Sequence, residues 1–312
     1  MKLDFKIIQS ITVGAVEMEQ TEPGICFYKC TKKQLAVWSS LSDFLGKNAR
    51  SSTGIRLDFQ TNSSYVEVKT GIVGQFEVKV DGRITHRFCL EENDLRFRVE
   101  LGEGKALHRV VITLPSHTEG ILRSVEVEDG AVVERSSFDR KLLFVGDSIT
   151  QGYASKYDLL SYAYQVSDLL NAESVIQGIG GACFVPDTVQ EIGYDPDTVF
   201  VAYGTNDFDA AESLEEIGDN AREFLRRVRA LYPVAEIYAI TPIWRVAQEN
   251  RACTFDDCRR VIREAIQEVG IHCVDGYDLV PHHEDFFMDG LHPNDLGFCL
   301  YTKNLLRAIA VY

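Results

Sequence analysis

The chain has 312 residues, 45% apolar and 25% charged, the balance of an ordinary globular protein and enough length for two domains with full cores. Lys and Arg total 32 against 47 Asp and Glu, a net charge of −15 that repels phosphate backbones and anionic lipid heads. This argues against nucleic acid and membrane surfaces as partners and favours a neutral substrate.

The N-terminal stretch Met1-Lys2-Leu3-Asp4-Phe5-Lys6-Ile7-Ile8 carries a charge every few residues. It reads as neither signal peptide nor membrane anchor, which predicts a cytoplasmic protein. From there to about residue 138, short runs alternate polar and apolar residues: 54–59, 64–69, 75–80, 108–114 and 123–127. Asp81-Gly82, Gly102-Glu103-Gly104 and Asp129-Gly130 mark turns between them. The spacing predicts an antiparallel β-sandwich of jelly-roll type over residues 1–138, without helices. Eight cysteines are scattered along the chain, with no Cys-x-x-Cys pair and no companion ligands for zinc, so they read as free thiols.

After Asp139-Arg140 the period changes. Continuous apolar runs at 142–145, 198–203 and 237–240, with a weaker one at 271–274, suit strands buried on both faces of a parallel sheet. Residues 213–231 put Leu214, Ile217, Ala221, Phe224, Leu225, Val228 and Leu231 on one helical stripe, with Ser213 and Glu216 as a capping box. A second helix is expected over about 255–269, stopped by Gly270. Alternating strand and helix predicts a doubly wound, flavodoxin-like α/β domain over residues 139–312.

Ligands of such sheets bind beyond the carboxyl ends of the strands. Four segments qualify: Gly146-Asp147-Ser148, then Gly178-Ile179-Gly180-Gly181 across a short helix, then Gly204-Thr205-Asn206-Asp207, and near the C-terminus Asp289-Gly290-Leu291-His292. A serine hydroxyl is a poor nucleophile unless a base takes its proton. His292 suits that role, and Asp289, three residues away, suits the far imidazole nitrogen. An oxyanion formed at a carbonyl needs preorganised donors, which the Ser148 N–H, the N–H of Gly181 (or of Gly180) and the Asn206 side chain offer. Asp147 and Asp207 read as loop braces. Trp244 divides evenly between stacking on a sugar and simple packing. Adjacent His282 and His283 lack a third ligand, so no metal and no cofactor is expected.

These four blocks, in this order, resemble the SGNH or GDSL hydrolases, whose hallmarks are a Gly-Asp-Ser serine, a glycine, a Gly-x-Asn-Asp asparagine and an Asp-x-x-His pair. The resemblance covers roughly residues 140–312; Gln177 stands near where many members carry asparagine. The whole chain is similar to the two-domain carbohydrate esterases of family two, through Thr53-Gly54-Ile55-Arg56-Leu57-Asp58-Phe59, the Val80-Asp81-Gly82 turn and the domain order. That likeness implies O-deacetylation of xylan-type or related oligosaccharides through a Ser-His-Asp triad and an acyl-enzyme. Some relatives use a Ser-His dyad, whereas Asp289 is present here. Two alternatives remain: a lipase, lysophospholipase or thioesterase with the same triad, and a carbohydrate-binding protein with an inactive catalytic domain. The expected partner is a small-molecule or oligosaccharide ester; a homo-oligomer stays open.

Overall fold

Alternation with a period of two makes one face of a strand apolar, and two such faces bury each other. In the computed structural model, which describes residues 1–102, 106–249 and 253–310, this pattern builds a first compact unit from Met1–Thr31 and Arg50–Phe138. It holds helix α1 (Phe5–Ile11) and strands β1 (Thr12–Val13), β2 (Glu17–Thr21), β3 (Gly24–Tyr28), β4 (Arg56–Thr61), β5 (Tyr65–Thr70), β6 (Gly74–Val80), β7 (Arg83–Leu90), β8 (Arg96–Glu100), β9 (His108–Thr113), β10 (Gly120–Val127) and β11 (Val133–Arg135). One antiparallel sheet runs β2-β3-β10-β5-β8 and the other β1-β4-β9-β6-β7, with β11 also pairing β4. Stripped of β1, β2 and β11, the orders β3-β10-β5-β8 and β4-β9-β6-β7 are those of an eight-stranded jelly roll. Phe59, Val68, Phe76, Val99, Ile112 and Leu122 are buried in its core. At the end of the unit the Phe138 ring lies 5.9, 5.4 and 5.7 Å from the guanidiniums of Arg56, Arg109 and Arg135.

The second unit comprises Lys32–Ala49 and Asp139–Tyr312. Between β3 and β4 come α2 (Lys32–Leu41) and α3 (Asp43–Arg50); the rest of the unit follows β11 as β12 (Arg140–Gly146), α4 (Ser148–Gln151), α5 (Tyr162–Leu169), β13 (Ala172–Gly178), β14 (Thr198–Ala202), α6 (Thr205–Ala210), α7 (Leu214–Leu231), β15 (Glu236–Ile240), α8 (Phe255–Val269), β16 (His272–Val274) and α9 (Asp295–Ala308). Its five strands are parallel in the order β13-β12-β14-β15-β16. Numbered from β12, that is 2-1-3-4-5, the flavodoxin-like order, whose switch point lies between β12 and β14. Ser213 caps α7 by accepting the Glu216 N–H at 3.2 Å, and Gly270 ends α8 in the left-handed region at φ 71°. No helix among the described residues is long and apolar enough to cross a membrane.

The structure corrects three expectations. The first 138 residues do contain helices, α1, α2 and α3. The expected single break near 138 also overlooks Lys32–Ala49, which groups with the α/β unit. Helix α2 was illegible because its inward face carries a polar residue: Gln34 is buried and trades amide hydrogen bonds of 3.1 Å with Gln177. The segment before Gly178 is the strand β13, not a helix, and its sequence hid this because Ser174 and Gln177 are buried polar positions in a short run. Of the turn expected at Gly102-Glu103-Gly104, Glu103 and Gly104 lie outside the described residues.

Candidate active site

The apolar run of β12 ends at Gly146, where a Cβ would stand 2.7 Å from the Ala202 carbonyl oxygen, so only glycine lets the end of β12 lie this close to the end of β14. Asp147 caps the turn that follows: its Oδ1 accepts the Ile149 N–H at 2.9 Å. Ser148 thereby becomes the first residue of α4, where backbone N–H groups have no partner within the helix. Gly152 stops α4 in the left-handed region at φ 86°.

His292 arrives on the loop before α9. That loop is closed by the Met288 N–H on the His292 carbonyl at 2.8 Å and the Asn294 N–H on the Phe286 carbonyl at 3.0 Å. Inside it, Asp289 Oδ1 accepts the backbone N–H groups of Leu291 (3.1 Å) and His292 (2.8 Å), and Oδ2 stands 2.8 Å from His292 Nδ1. Partial burial works to raise this carboxyl. The N–H donors of His292 and Leu291 and the imidazole outweigh it and hold Asp289 below the ordinary aspartate value. A carboxylate only accepts, so Nδ1 carries the proton and Nε2 presents a lone pair. Nε2 lies 2.8 Å from Ser148 Oγ.

The glycine block forms a tight turn directly after β13. The Ile179 N–H bonds the Gly146 carbonyl at 2.9 Å, and the Ala182 N–H bonds back to the Ile179 carbonyl at 3.1 Å. Gly181, third in that turn, has φ 80°, and a Cβ there would stand 2.8 Å from Phe44 Cε1. The Gly180 N–H is already committed to Gln151 Oε1 at 2.7 Å, which leaves Gly181 as the better candidate donor of the two. Asn206, on the first turn of α6, donates one Nδ2 hydrogen to the Ala182 carbonyl at 3.0 Å and keeps a second. Ser148, His292 and Asp289 are thus in one hydrogen-bonded chain, and Gly181 and Asn206 are joined through the next residue.

Asp147 and Asp207 are braces with a charge problem. Asp207 Oδ1 accepts the Phe184 N–H at 3.0 Å, while Oδ2 is buried without a hydrogen-bond partner. Burial, with the two carboxylates repelling each other, pushes Asp147 up to about 7, and burial does the same to Asp207. Both folded-state values exceed the unfolded one near about 3.9. The native state therefore holds protons that the unfolded state has released, and stability falls as pH rises from about 4 to 7. Asp207→Asn is expected to flatten that fall by on the order of 2–4 kcal/mol. Thermal melts of both proteins at pH 5 and pH 8 measure this; an unchanged difference between the two pH values would refute it.

Trp244 is half-buried, its ring 5.3 Å from Phe287 and parallel to His282 at 6.0 Å. His282 Nε2 lies 3.0 Å from the Tyr277 carbonyl, and His283 Nδ1 accepts the Asp285 N–H at 3.3 Å. Two residues near the centre went unnoticed in the sequence. Tyr153 is 51% exposed and its ring lies 4.6 Å from that of His292. Its position just past Gly152 was a usable signal. Phe44 on α3, 63% exposed over Gly181, had none, because it stands more than a hundred residues before Ser148.

A model of the GDSL-like lipase/acylhydrolase family matches residues 144–298. The C-terminal unit is a GDSL-like hydrolase domain of the SGNH type. Solved structures extend the likeness to nearly the whole chain. A salicylyl-acyltransferase from a tetracycline biosynthetic pathway superposes with a TM-score of 0.85 at 17% identity, over 96% of this chain and 94% of that one. A carbohydrate esterase family 2 enzyme with a carbohydrate-binding domain from Corynascus thermopiles (Myceliophthora fergusii) gives 0.70 at 18%, over 84% and 94%. A family two carbohydrate esterase from Cellvibrio japonicus gives 0.69 at 17%, over 97% and 96%. The architecture, a β-rich domain followed by an SGNH domain, is similar to that of the family 2 carbohydrate esterases. No curated protein matches the chain in sequence.

Proposed function

We propose that this GDSL-like hydrolase is a serine esterase that removes O-acetyl groups from acetylated oligosaccharides, xylo-oligosaccharides or similar. The observation that carries the reading is the chain Ser148 Oγ, His292 Nε2, His292 Nδ1, Asp289 Oδ2, with both links at 2.8 Å. Ser148 Oγ attacks the acetyl carbonyl carbon as its proton passes to His292 Nε2. The oxyanion is met by the N–H groups of Ser148 and Gly181 and the second Nδ2 hydrogen of Asn206. As the tetrahedral intermediate collapses, the sugar oxygen leaves with the proton from Nε2 and acetyl-Ser148 remains. Water then attacks that ester, losing a proton to Nε2, and acetate departs as Ser148 Oγ takes the proton back. Asp289 stays ionised and steadies the imidazolium.

The sugar half of the reading is supported by the charge of −15, which favours a neutral substrate, by the exposed rings of Tyr153 and Phe44 on which a pyranose can stack, and by the likeness to carbohydrate esterases. Purified protein is expected to release acetate from acetylated xylo-oligosaccharides. With p-nitrophenyl esters the rate should peak at acetate and drop tenfold or more by octanoate, roughly what a filled pocket exacts for surplus methylenes. A longer or aromatic acyl group is the second reading, favoured by two exposed apolar side chains, Val246 beside Gly290 (44% exposed) and Met288 just before Asp289 (68% exposed). A maximum at octanoate would select it and sink the sugar acetate assignment.

A further inference from the structure

The nucleophile turn and the glycine turn come from different strands, and their donors have to be aligned to a fraction of an ångström to share one oxyanion. We infer that Gln151 is the positioning residue that locks them together, an inference resting on the esterase reading above. Gln151 is the last residue of α4, the helix that Ser148 begins, and it is 2% exposed. Its Oε1 accepts the Gly180 N–H at 2.7 Å, and its Nε2 reaches Asn48 Oδ1 on α3 at 3.4 Å.

The turn has a specific weakness that such a clamp removes. Ile179, Gly180, Gly181 and Ala182 form a four-residue turn closed by the Ala182 N–H on the Ile179 carbonyl, with positive φ at the third position. Its central peptide, between Gly180 and Gly181, carries the candidate donor and takes no part in the closing bond. Type I and type II turns differ chiefly in the direction of that peptide, and two glycines accept either. A flip would turn the Gly181 N–H away and present a carbonyl oxygen to the developing negative charge. Hydrogen bonds hold both flanks: Gln151 takes the Gly180 N–H, and Asn206 Nδ2 takes up the Ala182 carbonyl at 3.0 Å. Gly178 adds a second constraint, since a Cβ there would meet the carbonyl carbon of Thr150 at 2.5 Å, so β13 ends flush against the α4 backbone. Ser148 and Gly181 are therefore spaced by one buried side chain.

Two variants of the full chain test this. Gln151→Met keeps the length and volume and removes the acceptor; Gln151→Glu keeps an acceptor oxygen in either protonation state. The methionine variant is expected to lose about 10- to 100-fold in kcat with KM within about threefold, a partial loss of one oxyanion donor. Its affinity for a methylboronic acid, which mimics the tetrahedral intermediate, should fall in parallel, and Gln151→Glu should restore most of both. If Gln151→Met keeps kcat within threefold, or if Gln151→Glu falls as far as Gln151→Met, the positioning role is overturned. The esterase reading fails separately, on an active Ser148→Ala.

Discussion

Ser148→Ala is expected to lower kcat on an acetyl ester by at least about ten-thousandfold while KM and melting temperature change little. The hydroxyl is one small group with one strong partner, His292 Nε2 at 2.8 Å, so its removal opens no significant cavity. What remains is the residual rate from bound substrate and oxyanion donors. Steady-state kinetics on p-nitrophenyl acetate, with the acetyl-enzyme followed by intact mass, give both numbers. Wild-type turnover in the alanine variant would move the nucleophile elsewhere, whereas a wild-type protein that binds acetylated oligosaccharides without turning them over would be a carbohydrate-binding protein with an inactive catalytic domain.

Asp289→Asn should be nearly as damaging, for a reason that concerns one proton. Oδ1 takes two backbone N–H groups, at 3.1 and 2.8 Å, so the asparagine oxygen is drawn to that side and its NH2 faces His292 Nδ1. Two donors cannot share the bond. The imidazole then shifts its hydrogen to Nε2, which donates to Ser148 Oγ and no longer accepts from it. A drop in kcat of about ten-thousandfold follows where the wrong tautomer is locked in. Asp289 is 45% exposed, however, so water competes for the position, and a loss of only about tenfold would identify a Ser-His dyad. The comparison with Asp289→Ala separates the two cases, because alanine removes the carboxylate without imposing a tautomer.

Much of the candidate site was legible because the proposed chemistry demands residues that little else supplies. Gly146 and Gly181 are fixed by backbone approach and positive φ, and Asp289 to His292 by the span of one loop, so sequence spacing maps almost directly onto geometry. The buried strands β12, β14 and β15 were equally plain as continuous apolar runs. What escaped detection depended on partners distant in sequence. Gln34 in α2 and Gln177 in β13 each look like surface residues until they meet, and either one alone weakens the apolar pattern of its element. Edge strands such as β7, with mostly exposed residues, carried too little alternation to be read. The role of Gln151 was hidden likewise, since a glutamine at the end of a four-residue turn reveals nothing of the N–H it will accept.

The excursion of Lys32–Ala49 out of the jelly roll makes the hydrolase unit discontinuous along the gene. Trp38, buried to 2% exposure, the Gln34–Gln177 pair and Phe44 over Gly181 all enter that unit from a stretch ending ninety residues before β12. A clone starting at Asp139 would encode every candidate catalytic motif and still lack two of the helices that complete the unit. Those helices also reach their places only by closing a long loop, which slows assembly more than it weakens the final state. Domain exchange with a related esterase therefore has to be cut at three points, before Lys32, after Ala49 and after Phe138. A single crossover at the visible change of period would leave the Ile179–Ala182 turn without its neighbour from α3.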